Sequence, residues 1–159
     1  MPFRDVANFA SSLPLAQAMR EHAWLYPAVE TLHIMGFAVL VGAVAMFDLR
    51  VLGFGRQLPV KALARHLLPW SAGSMLLVVP TGLLLFVADP LALLANTVFL
   101  FKLGLMVVAC ANALAFHAGP YRHADAWVER SPARAQLNAL LSLILWIAVI
   151  ACGRLIAYF

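Results

Sequence analysis

The chain has 159 residues, of which 64% are apolar and only 11% are charged. An ordinary soluble domain is about 45–50% apolar and about 25% charged, so this chain lacks the residues that would cover a core with a charged shell. The composition excludes most soluble enzymes, disordered tails and disulfide scaffolds, and it indicates an integral membrane protein. The formal net charge of +4 comes from basic residues between apolar runs. That pattern is typical of topology-setting loops and not of nucleic-acid binding.

Four nearly uncharged runs are long enough to cross a bilayer, for which about 20 helical residues are needed. They predict transmembrane helices one to four at roughly residues 25–47, 67–88, 95–117 and 136–157. Residues 1–22 carry apolar side chains near helical spacing and are expected to form a short segment on the membrane surface. We therefore predict a single domain over residues 1–159, an all-α, integral membrane four-helix bundle in contact with the lipid bilayer.

The basic residues outside the predicted helices are unevenly distributed. Seven lie in the loops that join helix one to helix two and helix three to helix four: Arg50, Arg56, Lys61, Arg65, Arg122, Arg130 and Arg134. Only three lie on the opposite side of the membrane, at Arg4, Arg20 and Arg154. Because basic loops stay in the cytoplasm, both termini are predicted to lie outside it.

Ionisable residues inside the predicted helices are candidate functional positions, because each costs at least about 2.5–3.5 kcal/mol at the centre of a membrane helix. Glu30 and His33 share one face of helix one. At about 1.5 Å per residue, His33 lies about 12 Å from the outer end of helix one, and Lys102 lies about 10 Å from that of helix three. Arg154 is near the outer end of helix four. Two interpretations stay open. One is a charge-neutralising network, in which Glu30 pairs with Lys102 or Arg154 and His33 forms a hydrogen bond with a carbonyl. The other is a cofactor or ion site.

A second pair of residues lies at the cytoplasmic boundary. His66 begins helix two and His117 ends helix three, and the short loop between these helices predicts that they are antiparallel neighbours. Paired histidines on facing helices of a bundle are a usual way to hold a b-type haem, and Arg50 and Arg65 lie where they could reach its propionates. The alternative is that both histidines are interfacial residues at helix ends.

Two further features concern ligands. Methionine is a soft ligand for copper(I), and Met35 is close to His33, although the methionines are equally explained by packing. Pro80, in the sequence Val-Pro-Thr-Gly, has no N–H for the carbonyl of Leu76. Such a break in a membrane helix makes room for a ligand or for water.

Several of these residues resemble a family pattern. A widespread, uncharacterised four-helix bacterial membrane family has a similar first helix, third helix and ending. The matching segments are Leu25-Tyr26-Pro27, Thr31-Leu32-His33, Gly42, Asp48-Leu49-Arg50-Val51-Leu52-Gly53, Phe101-Lys102-Leu103-Gly104-Leu105, Asn112-Ala113, Phe116-His117 and Gly153-Arg154-Leu155-Ile156-Ala157-Tyr158. The resemblance implies a multi-pass protein of the bacterial inner membrane, in which the distribution of basic residues predicts that both termini are periplasmic.

More distantly, the layout is similar to HemJ-type protoporphyrinogen oxidases and to CopD-type copper-resistance proteins. HemJ-like proteins have a histidine in helix one, an arginine at its cytoplasmic end and a Lys-Leu pair in helix three, and His33, Arg50 and Lys102-Leu103 stand at the matching positions. Those proteins bind haem b, so the resemblance implies a tetrapyrrole site near His33 and Lys102. The HemJ arginine follows a proline and the HemJ helix one contains a tryptophan. Both are absent here, so enzymatic identity does not carry over.

The sequence thus predicts a haem b-binding inner-membrane protein that moves electrons, with a quinone or porphyrinogen as its partner. The candidate cofactor-binding residues are His33, Lys102, His66, His117 and Arg50, and the three histidines are the candidate metal ligands. One alternative is a CopD-like copper transport or resistance protein. The other is a non-catalytic accessory subunit that binds another membrane subunit or a second copy of itself. Whether the protein is an enzyme stays open, and no nucleic-acid partner is expected.

Overall fold

The computed structural model describes residues 2–127 and 131–159. Within these ranges the chain forms seven α-helices: α1 (Pro2–Ser12), α2 (Pro14–Glu21), α3 (Leu25–Leu52), α4 (Val60–Ala88), α5 (Pro90–Ala95), α6 (Thr97–Ala118) and α7 (Ala133–Leu155). Short 3-10 helices cover Pro120–Ala126 and Ile156–Tyr158. These ranges contain no strand, so the predicted all-α fold class is confirmed. Arg130, which the sequence analysis counts in the second basic loop, lies outside the described residues.

Four helical segments are long and apolar enough to cross a membrane: Leu25–Leu52, Val60–Ala88, Thr97–Ala118 and Ala133–Tyr158. Many large apolar side chains on them are exposed, among them Leu76 and Leu114. Lipid covers such surfaces in a bilayer, and a helix satisfies its own backbone polar groups there. The chain is therefore a membrane protein built on four helices. Compared with the prediction, α3 ends at Leu52 rather than near residue 47, and α4 begins at Val60 rather than near residue 67.

Helix ends are set by local capping. The Asp89 side chain accepts a hydrogen bond from the Ala92 N–H at the start of α5, and the Asn96 side chain accepts one from the Phe99 N–H at the start of α6. These are usual roles for Asp and Asn at helix N-termini. α3 ends at Leu52 and is followed by Gly53, whose φ of 110° lies in the left-handed region that glycine adopts readily.

α3 is the central helix of the bundle. It packs against α4 and against α7, and α7 in turn packs against α6. α4 and α6 meet near α5, where the Phe86 and Phe99 rings stack with centroids 6.0 Å apart, but over the rest of their described length they are not packed against each other. The expectation that these two helices are antiparallel neighbours is therefore wrong. The physical reason is α5, a helix of roughly 9 Å at 1.5 Å per residue, which separates the end of α4 from the start of α6.

The two ends of the bundle differ, and we name them by what they carry. The terminal end holds α1, α2, α5 and the C-terminus. There Arg20 donates hydrogen bonds to the carbonyls of Ala88 and Ser11, at 3.1 and 2.8 Å, and Asn96 donates to the Ile156 carbonyl at 3.2 Å. The loop end holds the connections between α3 and α4 and between α6 and α7. The segment before α3, predicted to be helical, forms α1 and α2, which pack near α4 and α5.

An apolar cluster fills the loop end of the bundle. Its buried members come from α3, α4, α6, α7 and the 3-10 helix: Phe47, Val51, Val60, Ala64, Phe116, Ala124, Ala135 and Ala139. The Phe47 ring meets Phe116 and Tyr121 edge-on, with centroids 5.7 and 6.2 Å apart. Edge-to-face aromatic pairs add about 0.5–1.5 kcal/mol beyond the area that they bury. The cluster therefore joins all four long helices at the loop end.

Candidate cofactor site

His33 lies on α3 with its ring against α4. Its Nδ1 is 3.1 Å from the Val78 carbonyl oxygen and 3.0 Å from the Thr81 Oγ1. A carbonyl oxygen only accepts hydrogen bonds, so the network assigns the hydrogen to Nδ1. The Thr81 hydroxyl donates to the Leu77 carbonyl at 2.6 Å and is free to accept from His33. In the neutral ring, Nε2 therefore carries a lone pair, and it has no hydrogen-bond partner among the residues described.

The local structure of α4 explains why the ring fits there. Pro80 removes one backbone N–H from the helix, and Thr81 follows it with a side-chain hydrogen bond to the preceding turn. At Gly82 an added Cβ would lie 3.0 Å from the His33 Cε1, so the imidazole lies directly on the helix backbone. The sequence analysis identifies the break at Pro80 but not the roles of Thr81 and Gly82. The sequence feature that corresponds to these roles is the Thr-Gly pair after the proline. It can be interpreted only when the contact between α3 and α4 is known.

Two aromatic rings extend the surface beside His33. Phe37, one turn further along α3, stacks on the imidazole with centroids 6.4 Å apart and an interplanar angle of 24°. Trp146 of α7 meets Phe37 edge-on at 5.8 Å. The wall formed by His33, Phe37 and Trp146 thus spans the α3–α7 contact. The sequence analysis does not identify this wall, because it joins residues from helices far apart in the chain.

Lys102 lies at the same end of the bundle, on α6. Its Nζ is 3.6 Å from the position that a Cβ on Gly153 would occupy, so the missing side chain on α7 leaves space for the ammonium. Glu30 lies one turn before His33 on α3. The polar residues of helices one and three that the sequence singles out therefore lie at one end of the bundle.

Of the predicted charge-neutralising network, the hydrogen bond of His33 to a carbonyl is present, but the ion pairs of Glu30 are absent from the described part of the chain. Within the described ranges, neither Glu30–Lys102 nor Glu30–Arg154 is an ion pair. Arg154 instead donates a hydrogen bond to the Tyr158 hydroxyl at 2.8 Å, and its guanidinium lies 5.2 Å from the centroid of the Tyr158 ring. Lys102 is left facing the interior without a carboxylate in contact.

The histidines of the loop end have different surroundings. His66 and His117 are both exposed. The His117 Nδ1 is 2.8 Å from the Ala113 carbonyl of its own helix, and its ring lies 5.1 Å from that of Tyr121. No contact joins the two imidazoles among the described side chains. α4 and α6 are not packed together here, so helix packing gives no support for a haem iron shared by His66 and His117. Their shared coordination of a haem iron stays a prediction.

Two other predicted residues can be placed. Arg50 donates to the carbonyls of Leu58 and Arg56, so it holds the connection between α3 and α4, and its role toward a propionate stays a prediction. Met35 is exposed and follows His33 by two positions, which places it on another side of α3. The geometry therefore does not bring the predicted copper pair, His33 and Met35, to one point.

Four apolar helices with a histidine, a lysine and a glutamate gathered at one end define a multi-pass helical membrane protein. The chain matches the model of a family described as "Family of unknown function (DUF6644)" over residues 17–159, and it belongs to that family. The resemblance to an uncharacterised family is thereby confirmed. No curated protein and no solved structure matches the chain, so these comparisons lend no support to the likeness with HemJ-type or CopD-type proteins.

Proposed function

We propose that this protein binds haem b through His33 in the bacterial inner membrane and moves electrons to or from a quinone or porphyrinogen. The observation that carries the proposal is the orientation of His33, whose Nδ1 is bonded to Val78 and Thr81 while Nε2 has no hydrogen-bond partner among the described residues. Histidines that ligate a metal usually donate their other N–H to a carbonyl or carboxylate in this way, which fixes the ring and raises its basicity. Haem b would supply reversible one-electron chemistry at this position.

The surrounding residues fit a flat, anionic macrocycle. Phe37 and Trp146 form an apolar aromatic surface next to the imidazole. His33, whose ring lies on α4, and Lys102 of α6 lie at the end of the bundle where these two helices meet at Phe86 and Phe99. The Lys102 ammonium would pair with a propionate, since charge-assisted hydrogen bonds to carboxylates are strong. The protein's part is to hold the iron, orient the ring and exclude water.

The proposed orientation of the protein in the membrane rests on the distribution of its basic residues. Arg50, Arg56, Lys61 and Arg65 before and within α4, with Arg122 and Arg134 before and within α7, place the loop end in the cytoplasm by the positive-inside rule. Both termini are then periplasmic, and the His33 site lies near the periplasmic surface. A periplasmic electron partner or a quinone within the outer half of the bilayer would reach it.

The test is an absorption spectrum of the purified full chain, before and after reduction, after supply of haemin during expression or reconstitution. We expect a sharp reduced-state band of haem b in the wild type. His33→Ala should lose most of the bound haem while the protein still inserts and elutes as a single species. The matched control is His22→Ala, because His22 is an exposed histidine of the same end whose ring bonds only to its own helix at Ala18.

Other outcomes point to the alternatives. Loss of haem in His66→Ala and His117→Ala, with His33→Ala unchanged, would contradict the His33 site and favour the loop end. Copper without haem in metal analysis would contradict the haem proposal in favour of copper handling. A protein that holds neither group after reconstitution would be better explained as a non-catalytic accessory subunit.

A further inference from the structure

Asp48 is an acidic residue buried far from the proposed cofactor site. It lies on α3 with 6% of its surface exposed, inside the membrane-crossing segment Leu25–Leu52. The Ser142 hydroxyl of α7 lies beside the carboxyl, but the Oδ2 atom is buried without a hydrogen-bond partner among the described residues. A buried polar atom without a partner is costly and rare in a folded protein, and ionisable groups within the membrane are usually functional.

No cation neutralises this carboxyl within the described part of the chain, where the one ion pair is Lys61–Asp125. Tyr121 of the 3-10 helix is half-buried and packs against Phe47, and the other charged side chains of the helices at this end are engaged elsewhere or exposed. Arg50 is bonded to the carbonyls of the connection that follows α3, and four are exposed: Arg65, His66, His117 and Arg134. The Asp48 carboxyl therefore has the Ser142 hydroxyl as a neighbour, while its own Oδ2 atom has no hydrogen-bond partner among the described residues.

A series of polar side chains leads from the loop end toward Asp48. Ser142 and Asn138 are four residues apart on one face of α7. Asn138 donates to the Asn112 Oδ1 at 2.8 Å, and Asn112 donates back to the Asn138 carbonyl at 2.9 Å. Asn112 and Asn138 thus bond to each other across the contact between α6 and α7, next to the apolar cluster of the loop end.

We infer that Asp48 is a proton-exchange site reached from the loop end, a function separate from cofactor binding. A hydronium ion at the loop end loses one O–H bond as a new O–H bond forms at Oδ2, which leaves neutral water, and the reverse step returns the proton, with no oxidant or reductant involved. A proton fits better than a metal cation, because the carboxyl has one hydroxyl neighbour whereas calcium and magnesium take about six or more ligands. Asp48 is roughly 22 Å along α3 from His33 at 1.5 Å per residue, so the two sites are tested independently.

Infrared difference spectroscopy of the full chain in lipid nanodiscs tests this inference. We expect a carbonyl-stretch band of a protonated carboxylic acid that appears and disappears reversibly with pH and shifts on transfer from H2O to D2O. The band should be absent in Asp48→Asn and displaced in frequency in Ser142→Ala, which removes the hydroxyl beside the carboxyl but keeps the acid. The control is Asp89→Asn, at an exposed acid of the terminal end, which should keep the band.

A band that persists in Asp48→Asn would overturn the inference, as would a wild-type band that neither titrates nor exchanges with D2O while the protein stays folded. A band that responds to sodium at constant pH would also overturn it, in favour of a cation site. If Asp48→Asn does not fold, the displaced band in Ser142→Ala still assigns the signal, and an undisplaced band contradicts the assignment.

Discussion

Gly82 is the residue that allows the His33 ring to lie on the backbone of α4. An added Cβ would lie 3.0 Å from Cε1 and 3.5 Å from Nδ1 of His33, which is closer than carbon contacts normally are. The ring would have to move away from Val78 and Thr81 and lose the hydrogen bonds that fix its tautomer. We expect Gly82→Ala to cost about 1–3 kcal/mol, the usual range for an overpacked contact.

Two measurements follow this change at Gly82: unfolding of the purified protein in detergent, and haem content after reconstitution. The control is Gly73→Ala, since a Cβ on Gly73, also in α4, would meet nothing within 4 Å. Its expected effect is neutral or stabilising, because alanine has about 1 kcal/mol better helix propensity than glycine. Equal stability and equal haem content in the two variants would show that the ring does not depend on Gly82.

For individual residues, the sequence identifies candidate functional positions more accurately than it identifies the residues that they contact. His33 and Lys102 stand out because a polar group in an apolar run is costly wherever the helix lies. Thr81 and Gly82 do not stand out, since their roles depend on a contact between residues more than forty positions apart. Asp48 does not stand out as a site either, because it follows the predicted end of helix one, where water solvates a carboxyl readily. Its burial follows from the continuation of α3 to Leu52.

The contact between α3 and α4 holds the proposed site, and Gly36 lies at its centre. A Cβ on Gly36 would be 3.0 Å from the Val78 Cγ2 and 3.2 Å from the Leu77 Cδ2. Val78 is branched at Cβ and therefore has little rotamer freedom, so the helices would have to separate. We expect Gly36→Ala to destabilise the protein by about 1–3 kcal/mol, measured by denaturant titration in mixed micelles.

The comparison variant for this helix is Gly42→Ala. Gly42 is also on α3, and a Cβ there would meet nothing within 4 Å, so the same chemical change is made without a helix contact. If Gly42→Ala destabilises the protein as much as Gly36→Ala does, the close approach of α3 and α4 is not what Gly36 provides.

For the helices, the sequence predicts correctly those features that depend on the length of an apolar run. The four spans can be identified because a bilayer needs about 20 apolar residues and few other segments supply them. The order of helices in the bundle cannot be identified in this way. A short connection suggests that its two helices are neighbours, but Asp89 and Asn96 cap a separate helix within it, and that helix places α4 and α6 apart.

For the molecule as a whole, the decisive question is which end faces the cytoplasm. Of the eleven basic residues, most belong to the loop end, and basic loops are retained in the cytoplasm during insertion. The two polar sites then face opposite compartments. His33 would exchange electrons near the periplasmic surface, whereas Asp48 would exchange protons with the cytoplasm.

Cysteine labelling of intact spheroplasts with a membrane-impermeant maleimide measures this orientation, in a background where Cys110 and Cys152 are replaced by alanine. We expect Ala23→Cys, at an exposed position of the terminal end, to label in intact cells. Gln57→Cys, exposed in the connection between α3 and α4, should label only after the membrane is disrupted. The opposite pattern would reverse the topology and move Asp48 to the periplasmic side. The hydrogen-bond geometry of His33 would be unaffected, but its electron partner would then have to lie in the cytoplasm or the inner half of the bilayer.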